Sequence, residues 1–575
     1  MEYTNIPRPE YPRPQFVREA WMNLNGPWEH QTDPGQSGSA RGLQNDAPYD
    51  AVINVPFCRE SRLSGIGDVD FCDCVWYRKT VTLPEDWRER GRRTILHIGA
   101  CDFRTTVWVN GTRFYDHVGG YVSFFYDITD ALKDGDNRIV IRAVDTLRTH
   151  NQPAGKQCEQ YGSYGCMYTR TTGIWQTVWL ENVPAAYIAH TKYYPDLDGQ
   201  KLIIEAEVKG GQGMTLTASA SYEGKPMGTG SAVVYGGRAV VEVPLSELHL
   251  WEVGCGRLYD LELTLGEDYV QSYFGMRRIE CRDGFFYLNG KPVFQRLVLD
   301  QGFYPDGIYT APSLAELEAD IDRSLAMGFN GARLHQKVFE PLFLSLCDKK
   351  GYIVWGEHGN WGLDIARQTA FESFVPEWCE VLARDFNHPA IIGWCPLNET
   401  QGNQNETFVR LLAAVTRGYD TTRMFIDTSG WVHVPGLTDF IDIHDYEQNP
   451  EVFKAKLDPL AEGGTYNVHW CLGRGREWNE HPTFVSEYGG IRWAPKESYG
   501  WGYGQAPEDA QAFLDRFKGL SEAILFNPAI GALCYTQLTD VEQEMNGLYT
   551  YDRKPKFDPA FMKSVLSQKA AFEKQ

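Results

Sequence analysis

No apolar run in this chain approaches the roughly 18 residues that a membrane-spanning helix needs. The opening residues, MEYTNIPRPEYPRPQ, lack the apolar stretch of a secretory leader, which points to a cytoplasmic protein. Positive charge is scarce: 55 Lys and Arg stand against 76 Asp and Glu, a formal net charge of −21. That balance argues against nucleic acid or an anionic membrane as partner. It also disfavours a strongly anionic polymer as general substrate, while leaving room for one acidic sugar in a local basic pocket. Paired CxxC motifs are missing. The thirteen cysteines are scattered, and their tightest group, Cys72 and Cys74 with Cys58 nearby, has no zinc-site spacing. Dispersed thiols in odd number fit reduced, buried cysteines better than a disulfide framework. Low-complexity tracts and fixed-period repeats are absent as well.

What remains is an ordinary globular composition, 43% hydrophobic and 23% charged, in a chain too long for one core. Its 575 residues suggest about four domains. The aromatics (17 Trp, 31 Tyr, 29 Phe) are numerous enough to line pockets with flat apolar faces.

Residues 1–183 read as all-β. Short alternating runs recur in VWYRKTVTL, RTILHIG, RTTVWVNG, NRIVIRAVD and TGIWQTVWLE, punctuated by turn chemistry such as Asn110-Gly111. This spacing predicts a jelly-roll β-sandwich. Residues 184–280 continue with KLIIEAEV, MTLTASASY, GRAVVEVPL and YDLELTLG, the pattern of an immunoglobulin-like β-sandwich. From 281 to 575 the period changes. SLAELEADIDRSLAMG predicts an amphipathic helix, capped by Ser313 and ended by Gly328. Strand and helix then alternate. VFQRLVLD, FNGARLH, GYIVWGE, AIIGWCPLNE, MFIDTSG, FIDIHDY, TFVSEYG and ALCYTQL supply eight strands, enough for a (β/α)8 TIM barrel.

Two of those strands run out into a glutamate. Glu399 ends AIIGWCPLNE and Glu487 lies in TFVSEYG. Carboxylates at the carboxyl ends of barrel strands lie where barrel enzymes do their chemistry. A pair of them is what glycoside hydrolysis requires: one protonates the leaving oxygen, the other attacks or activates water.

The chain resembles glycoside hydrolase family two, the β-galactosidase and β-glucuronidase superfamily. The likeness rests on WMNLNGPWEH, VPFCRESRLSGIG and YTRTTGIWQTVWLE in the first domain, and on FFYLNGKPVFQRLVLDQGFYPDG, MGFNGARLHQK, GWCPLNE and FVSEYGG in the barrel. The resemblance implies a retaining exo-β-glycosidase working through a covalent glycosyl-enzyme. Glu399, on strand four, is the implied acid/base and Glu487, on strand seven, the implied nucleophile. Retention needs the two carboxyl groups about 5–5.5 Å apart. Such a pair holds one proton between them, expected on Glu399 until Glu487 is esterified. Asn398 is implied to bind the sugar 2-hydroxyl, while Arg333 and Tyr446 are implied to steady the nucleophile. His335 and His444, Asp300 and Gln301 sit at neighbouring strand ends. Asp145 and Lys156 are expected to reach in from the first domain. Tyr535, with Gln537 after it, takes the place where many members set a tryptophan floor, and Trp470 is a candidate for stacking on sugar.

The departures matter. Where glucuronidases carry an Asn-x-Lys pair for the substrate carboxylate, this chain reads Glu544-Met545-Asn546, which disfavours a glucuronidase. Glu357 and His358 are adjacent, the wrong spacing for the magnesium site of large β-galactosidases, so neither a metal nor any other cofactor is expected. A β-D-galactosidase is favoured on family frequency alone. β-Galacturonide, β-mannoside and arabinoside substrates stay open, Lys156 and Lys337 being cations that could serve an acidic sugar, as does a catalytically inactive carbohydrate-binding protein. Family members are often homodimers or homotetramers, and either remains open here.

Overall fold

The computed structural model describes residues 6–467, 479–495 and 499–574. Period-two alternation builds the first sandwich. One antiparallel sheet orders Trp21–Asn23, Val178–Pro184, Arg92–Ile98 and Phe124–Asp127. The facing sheet contains Ala51–Val55, Gly26–Thr32, Cys74–Thr82, Asp136–Val144 and Arg104–Val109 in that order. Trp28, Tyr77, Leu96, Val107 and Ile141 fill the space between them. Asn110 and Gly111 both have positive φ, +50° and +83°, the backbone of a tight hairpin turn. The run TGIWQTVWLE is not one strand. It breaks between Gly173–Ile174 and Val178–Pro184. At the break Trp175 is buried, donating Nε1 to the Gly120 carbonyl (2.7 Å) and accepting Thr310 Oγ1 on its own carbonyl (2.6 Å).

The second sandwich packs Tyr187–Asp196, Lys201–Lys209 and Arg238–Pro244 against Lys225–Val233, Thr215–Tyr222, Tyr259–Leu265 and Asp268–Phe274. Three of these strands were not read from sequence. Lys225–Val233 carries two glycines and little apolar alternation, so its pattern is weak.

In the third region eight parallel strands form one curled sheet: β1 Gln295–Asp300, β2 Gly331–Leu334, β3 Ile353–Glu357, β4 Ile391–Cys395, β5 Met424–Phe425, β6 Asp442–Asp445, β7 Phe484–Gly489 and β8 Ala532–Thr536. The ladder runs β5-β4-β3-β2-β1-β8-β7-β6. The seam between β5 and β6 has no ladder among the described residues. Helices follow most strands: α1 Leu314–Met327, α2 Pro341–Lys350, α3 Val375–Asp385, α4 Glu406–Tyr419, α5 Pro450–Leu457, α6 Ala510–Leu525 and α7 Pro559–Leu566. Ser313 caps α1 by accepting the Glu316 N–H, and Gly328 ends it at φ +98°. Strict alternation fails once, because residues 426–441 between β5 and β6 contain no α-helix. At the amino end of the barrel, Trp355 donates to Gln295 Oε1 (2.9 Å) and packs on Phe440 and Phe484. That end is plugged, so the carboxyl ends of the strands are left to receive a ligand.

The three regions lock together through polar side chains. Trp251 of the second sandwich donates to the Asp348 carbonyl at 2.7 Å, and Glu377 on α3 accepts the Tyr121 N–H of the first at 2.6 Å. The segment before Trp21 ties all three. Arg8 reaches Glu340 at 2.6 Å, Arg18 grips Asp268 through two bonds of 2.8 and 2.9 Å, and Tyr11 donates to Glu181. No described helix is long and apolar enough to cross a membrane. The twelve cysteines among the described residues are free thiols.

Candidate active site

The barrel brings Glu399 and Glu487 face to face. Glu487 is buried on β7, where its neighbour Tyr488 points the other way, into the helical layer. Glu399 lies just past β4. Pro396 interrupts that strand, and Leu397–Asn398 then pairs in parallel with Thr428–Ser429. Glu399 itself adopts φ +53°, a left-handed backbone uncommon outside glycine, and its N–H donates to the Ser429 carbonyl at 2.9 Å. This twist aims the side chain back across the barrel mouth. An oxygen of each glutamate and a ring nitrogen of His444 all lie within 4.8 Å of one another.

His444 is the bridge. The β6–β7 register shifts between Ile443 and His444, so Ser486 is bypassed and His444 comes level with Glu487. Its Nδ1 stands 2.7 Å from Glu399 Oε1 and its Nε2 3.4 Å from Glu487 Oε1. Burial alone would strip the imidazole of its charge, but the two carboxylates outweigh that and raise its pKa. Glu399 shows the converse. Burial pushes it up, but the His444 hydrogen bond and charge, with Lys156 and Arg333 behind, bring it below the usual carboxylate range. Both directions favour a shared proton on His444, between the two acids, over one on Glu399, where the resemblance implied it. Sequence reasoning treated His444 only as a sugar contact.

Arg333, on β2, clamps the other side. It donates to Glu357 (2.6 Å), the Ser486 carbonyl (2.8 Å), Glu487 (3.2 Å) and Asn398 Oδ1 (3.2 Å). With Asn398 Oδ1 engaged and its main chain held by Asn360, the amide Nδ2 is left buried without a partner, a donor ready for a hydroxyl. Tyr446 donates to Glu487 and lies 3.1 Å from Thr536 Oγ1, and its ring stacks on Tyr503. His335 rests Nδ1 on Glu357 at 3.1 Å; burial first, then the charge of Lys156, keeps it neutral.

Four expectations need correcting. Asp145 does not enter this pocket. It accepts Gln152 Nε2 at 2.7 Å within the first sandwich, and burial beside Glu60 and Asp73 lifts it to about 7. Asp300 accepts the Gly302 N–H, and its charged neighbours are Asp320, Arg553 and Lys337 rather than the glutamate pair. Tyr535 points outward onto Tyr488 and Phe517 of α6. The residue of β8 that reaches the site is the next one, Thr536, because a strand alternates its faces and the sequence alignment was one residue out of phase. Lys337, weighed as a cation for an acidic sugar, is plugged into the Gly302 and Tyr309 carbonyls instead. Gln301 is buried with Oε1 unpartnered, and Gln537 donates to Asn546 at 2.7 Å. Trp470 lies outside the described residues.

Glu357 was missed as a site residue, although it ends β3 as abruptly as Glu399 and Glu487 end theirs. It was weighed only as a metal ligand with His358. The two diverge: Glu357 serves Arg333 and His335, while His358 turns to Glu377 at 3.3 Å. As for a metal, Glu399, His444 and Glu487 have suitable mutual distances. Yet the imidazole already joins the two acids and Arg333 already neutralises Glu487, so they do not form a vacant ligand set.

Lys156 enters from the first sandwich. Ala154 N–H donates to the Trp361 carbonyl (2.8 Å), Gly155 N–H to the Gly359 (3.2 Å) and Trp361 (3.0 Å) carbonyls, and Tyr168 N–H to the Lys156 carbonyl (2.7 Å). Gly155, at φ +59°, allows the approach, because a Cβ there would stand 2.3 Å from the Gln336 carbonyl oxygen. Beyond Trp361 a cavity of about 470 Å³ opens between sandwich and barrel, with His150, Met167, Leu363 and Arg367 on its walls.

Three family descriptions match the chain: "Glycosyl hydrolases family 2, sugar binding domain" over residues 23–184, "Glycosyl hydrolases family 2" over 186–277, and "Glycosyl hydrolases family 2, TIM barrel domain" over 279–570. Among curated relatives, a β-glucuronidase of Paenibacillus borealis is 23% identical over 608 residues, covering 96% of this chain and 98% of that protein. The β-glucuronidase of Sus scrofa is 25% identical over 546 residues, covering 83% and 79%. A solved structure of a β-glucuronidase from Ruminococcus gnavus in complex with D-glucuronic acid shares the fold, with a TM-score of 0.78 at 19% identity, covering 98% of this chain and all of that one (100%).

Proposed function

The chain belongs to glycosyl hydrolase family 2 and is a glycoside hydrolase, and we propose that it is a retaining, exo-acting β-glycosidase that works by double displacement. The observation that carries this reading is the glutamate spacing. Oxygens within 4.8 Å of each other suit attack by one carboxylate on the anomeric carbon and leave too little room for an intervening water. Glu487, fixed by Tyr446 and Arg333, is the nucleophile. Glu399 delivers to the leaving oxygen the proton it shares with His444, and recovers a proton from water when the glycosyl-enzyme is hydrolysed. The free Nδ2 of Asn398 takes the sugar 2-hydroxyl.

The galactoside expected on family frequency has no support in the comparisons. The relatives named above are β-glucuronidases, which moves the proposed sugar to a β-linked uronide despite Asn546 in place of the lysine. A panel of nitrophenyl β-glucuronide, β-galacturonide, β-galactoside, β-mannoside and both arabinosides, followed by NMR of the first-formed anomer, tests both levels. Release of the β-anomer is expected. Release of the α-anomer, or a Glu487→Gln variant with full activity, would sink the mechanism. Binding with no chromophore released would point to an idle carbohydrate-binding scaffold.

A further inference from the structure

We propose that Lys156, delivered by the first sandwich, binds the carboxylate of the substrate's sugar. The inference rests on the uronide reading above and names the residue that makes it workable. A carboxylate entering a confined site needs a cation that is not already spent. Among the described residues near the glutamates, Arg333 has four protein partners, His444 spans the two acids, His335 is neutral, and Lys337 is sealed by carbonyls.

Lys156 differs from all of these. It is 5% exposed, and its ammonium has no hydrogen-bond or ion-pair partner among the described residues. It stands 4.1 Å above the centre of the Trp361 ring, a contact that positions a cation without consuming its donors. Burial acts to discharge it, but Cys166, Glu544, Glu487 and Glu399 more than offset this and keep the charge in place. Its main chain is pinned on both sides by the hydrogen bonds to Gly359, Trp361 and Tyr168, so the head group is aimed rather than wandering.

The opposite wall explains why the barrel needs this help. Glu544 accepts Tyr168 Oη on one oxygen and Asn546 Nδ2 (2.9 Å) on the other, and Asn546 accepts Gln537 Nε2 (2.7 Å). Burial raises the Glu544 pKa. The stretch where the family resemblance expects a lysine is therefore a chain of amide and carboxylate hydrogen bonds with no positive charge, and the cation comes from the other domain.

The test uses the full-length chain. Lys156→Met should lower kcat/KM for nitrophenyl β-uronides roughly 100-fold, the scale for removing one partner of a buried charge pair. The same variant should lower kcat/KM for the matched neutral β-glycosides far less, by no more than the change that follows from removing a charge beside Glu399, and Lys156→Arg should keep part of the uronide activity. Equal losses on both substrate classes, no loss on uronides, or a wild type that cleaves only neutral glycosides would overturn the assignment. Should the Met variant not fold, Lys156→Gln is compared on the same two substrate classes, with equal losses counting against the assignment. Labelling by acidic and neutral 2-fluoroglycosyl fluorides separates the two levels. A glycosyl adduct on Glu487 without preference for the acidic reagent removes the Lys156 assignment and leaves the hydrolase reading standing. No adduct from either reagent removes both.

Discussion

At the scale of single residues, the site is a problem in holding one proton among three acceptors. His444 wins because two carboxylates face it, one across each ring nitrogen. Its folded pKa is raised, so the stabilisation it gives is complete below about 6.5 and fades as pH climbs through the raised value. Glu399 works in the opposite sense: its lowered pKa stabilises above the ordinary carboxylate range and is lost on acidification. His444→Asn should therefore pull the basic limb of the kcat/KM profile to lower pH, because two carboxylates alone hold the shared proton less firmly than the imidazole does. An unmoved basic limb would remove His444 from the proton's path. Arg333 can be judged by coupling. Arg333→Met strands buried Glu357 and Glu487, at a cost of about 3–5 kcal/mol in urea unfolding. Adding Glu357→Gln should restore part of that stability, whereas additive losses would mean that the two are not coupled.

At the scale of elements, the site depends on where strands bend or slip. Gly430, at φ +88°, lies against the His444 ring, and a Cβ there would come within 2.3 Å of it. Gly430→Ala should cost about 1–3 kcal/mol and depress turnover by displacing the imidazole. Normal kinetics would show that the loop yields instead. Asp420, just past α4, accepts Trp394 Nε1, Arg423 Nη1 and both the N–H and hydroxyl of Thr422. Burial opposes its charge, but Arg423 and these donors lower its pKa to about 2. Its contribution of about 2 kcal/mol is present above pH 4 and vanishes as pH falls towards 2. Asp420→Asn should then be less stable than wild type at pH 7, with most of the difference gone as pH falls through about 2, as followed by urea unfolding. All eight barrel strands were legible because each is a short apolar run that changes abruptly at its carboxyl end. The missing helix between β5 and β6 was not, since alternation was carried across that gap. Thr536 and the β6–β7 slip were hidden for a different reason. A one-residue phase error is invisible in strands such as these, where every residue is buried and no alternation of exposed and buried positions marks the phase.

At the scale of the whole molecule, polar contacts between regions do much of the organising, and sequence periodicity cannot register them. The Arg18–Asp268 pair is buried and doubly bonded, and it joins the leading segment to the second sandwich. Arg18→Met should lower global stability by about 3–5 kcal/mol. A shift below 1 kcal/mol would mean that water replaces the arginine without loss. Motif resemblance made the order of domains and the glutamate pair readable. It could not reveal that Lys156 is unpaired among the described residues, that Glu357 serves Arg333, or that Tyr168 and Asn546 share Glu544, because each depends on residues brought together in the fold.

The loop carrying Ala154, Gly155 and Lys156 makes one wall of the barrel mouth the property of another domain. Substrate choice in such a molecule can be inherited separately from catalytic chemistry. Recombination that exchanged the leading sandwich between homologous chains would transplant a new recognition element in one event while the glutamates stayed untouched. On the Lys156 assignment, exchanging that loop alone would alter the preference for an acidic sugar while the barrel's Glu399, Glu487 and Asn398 stayed as they are.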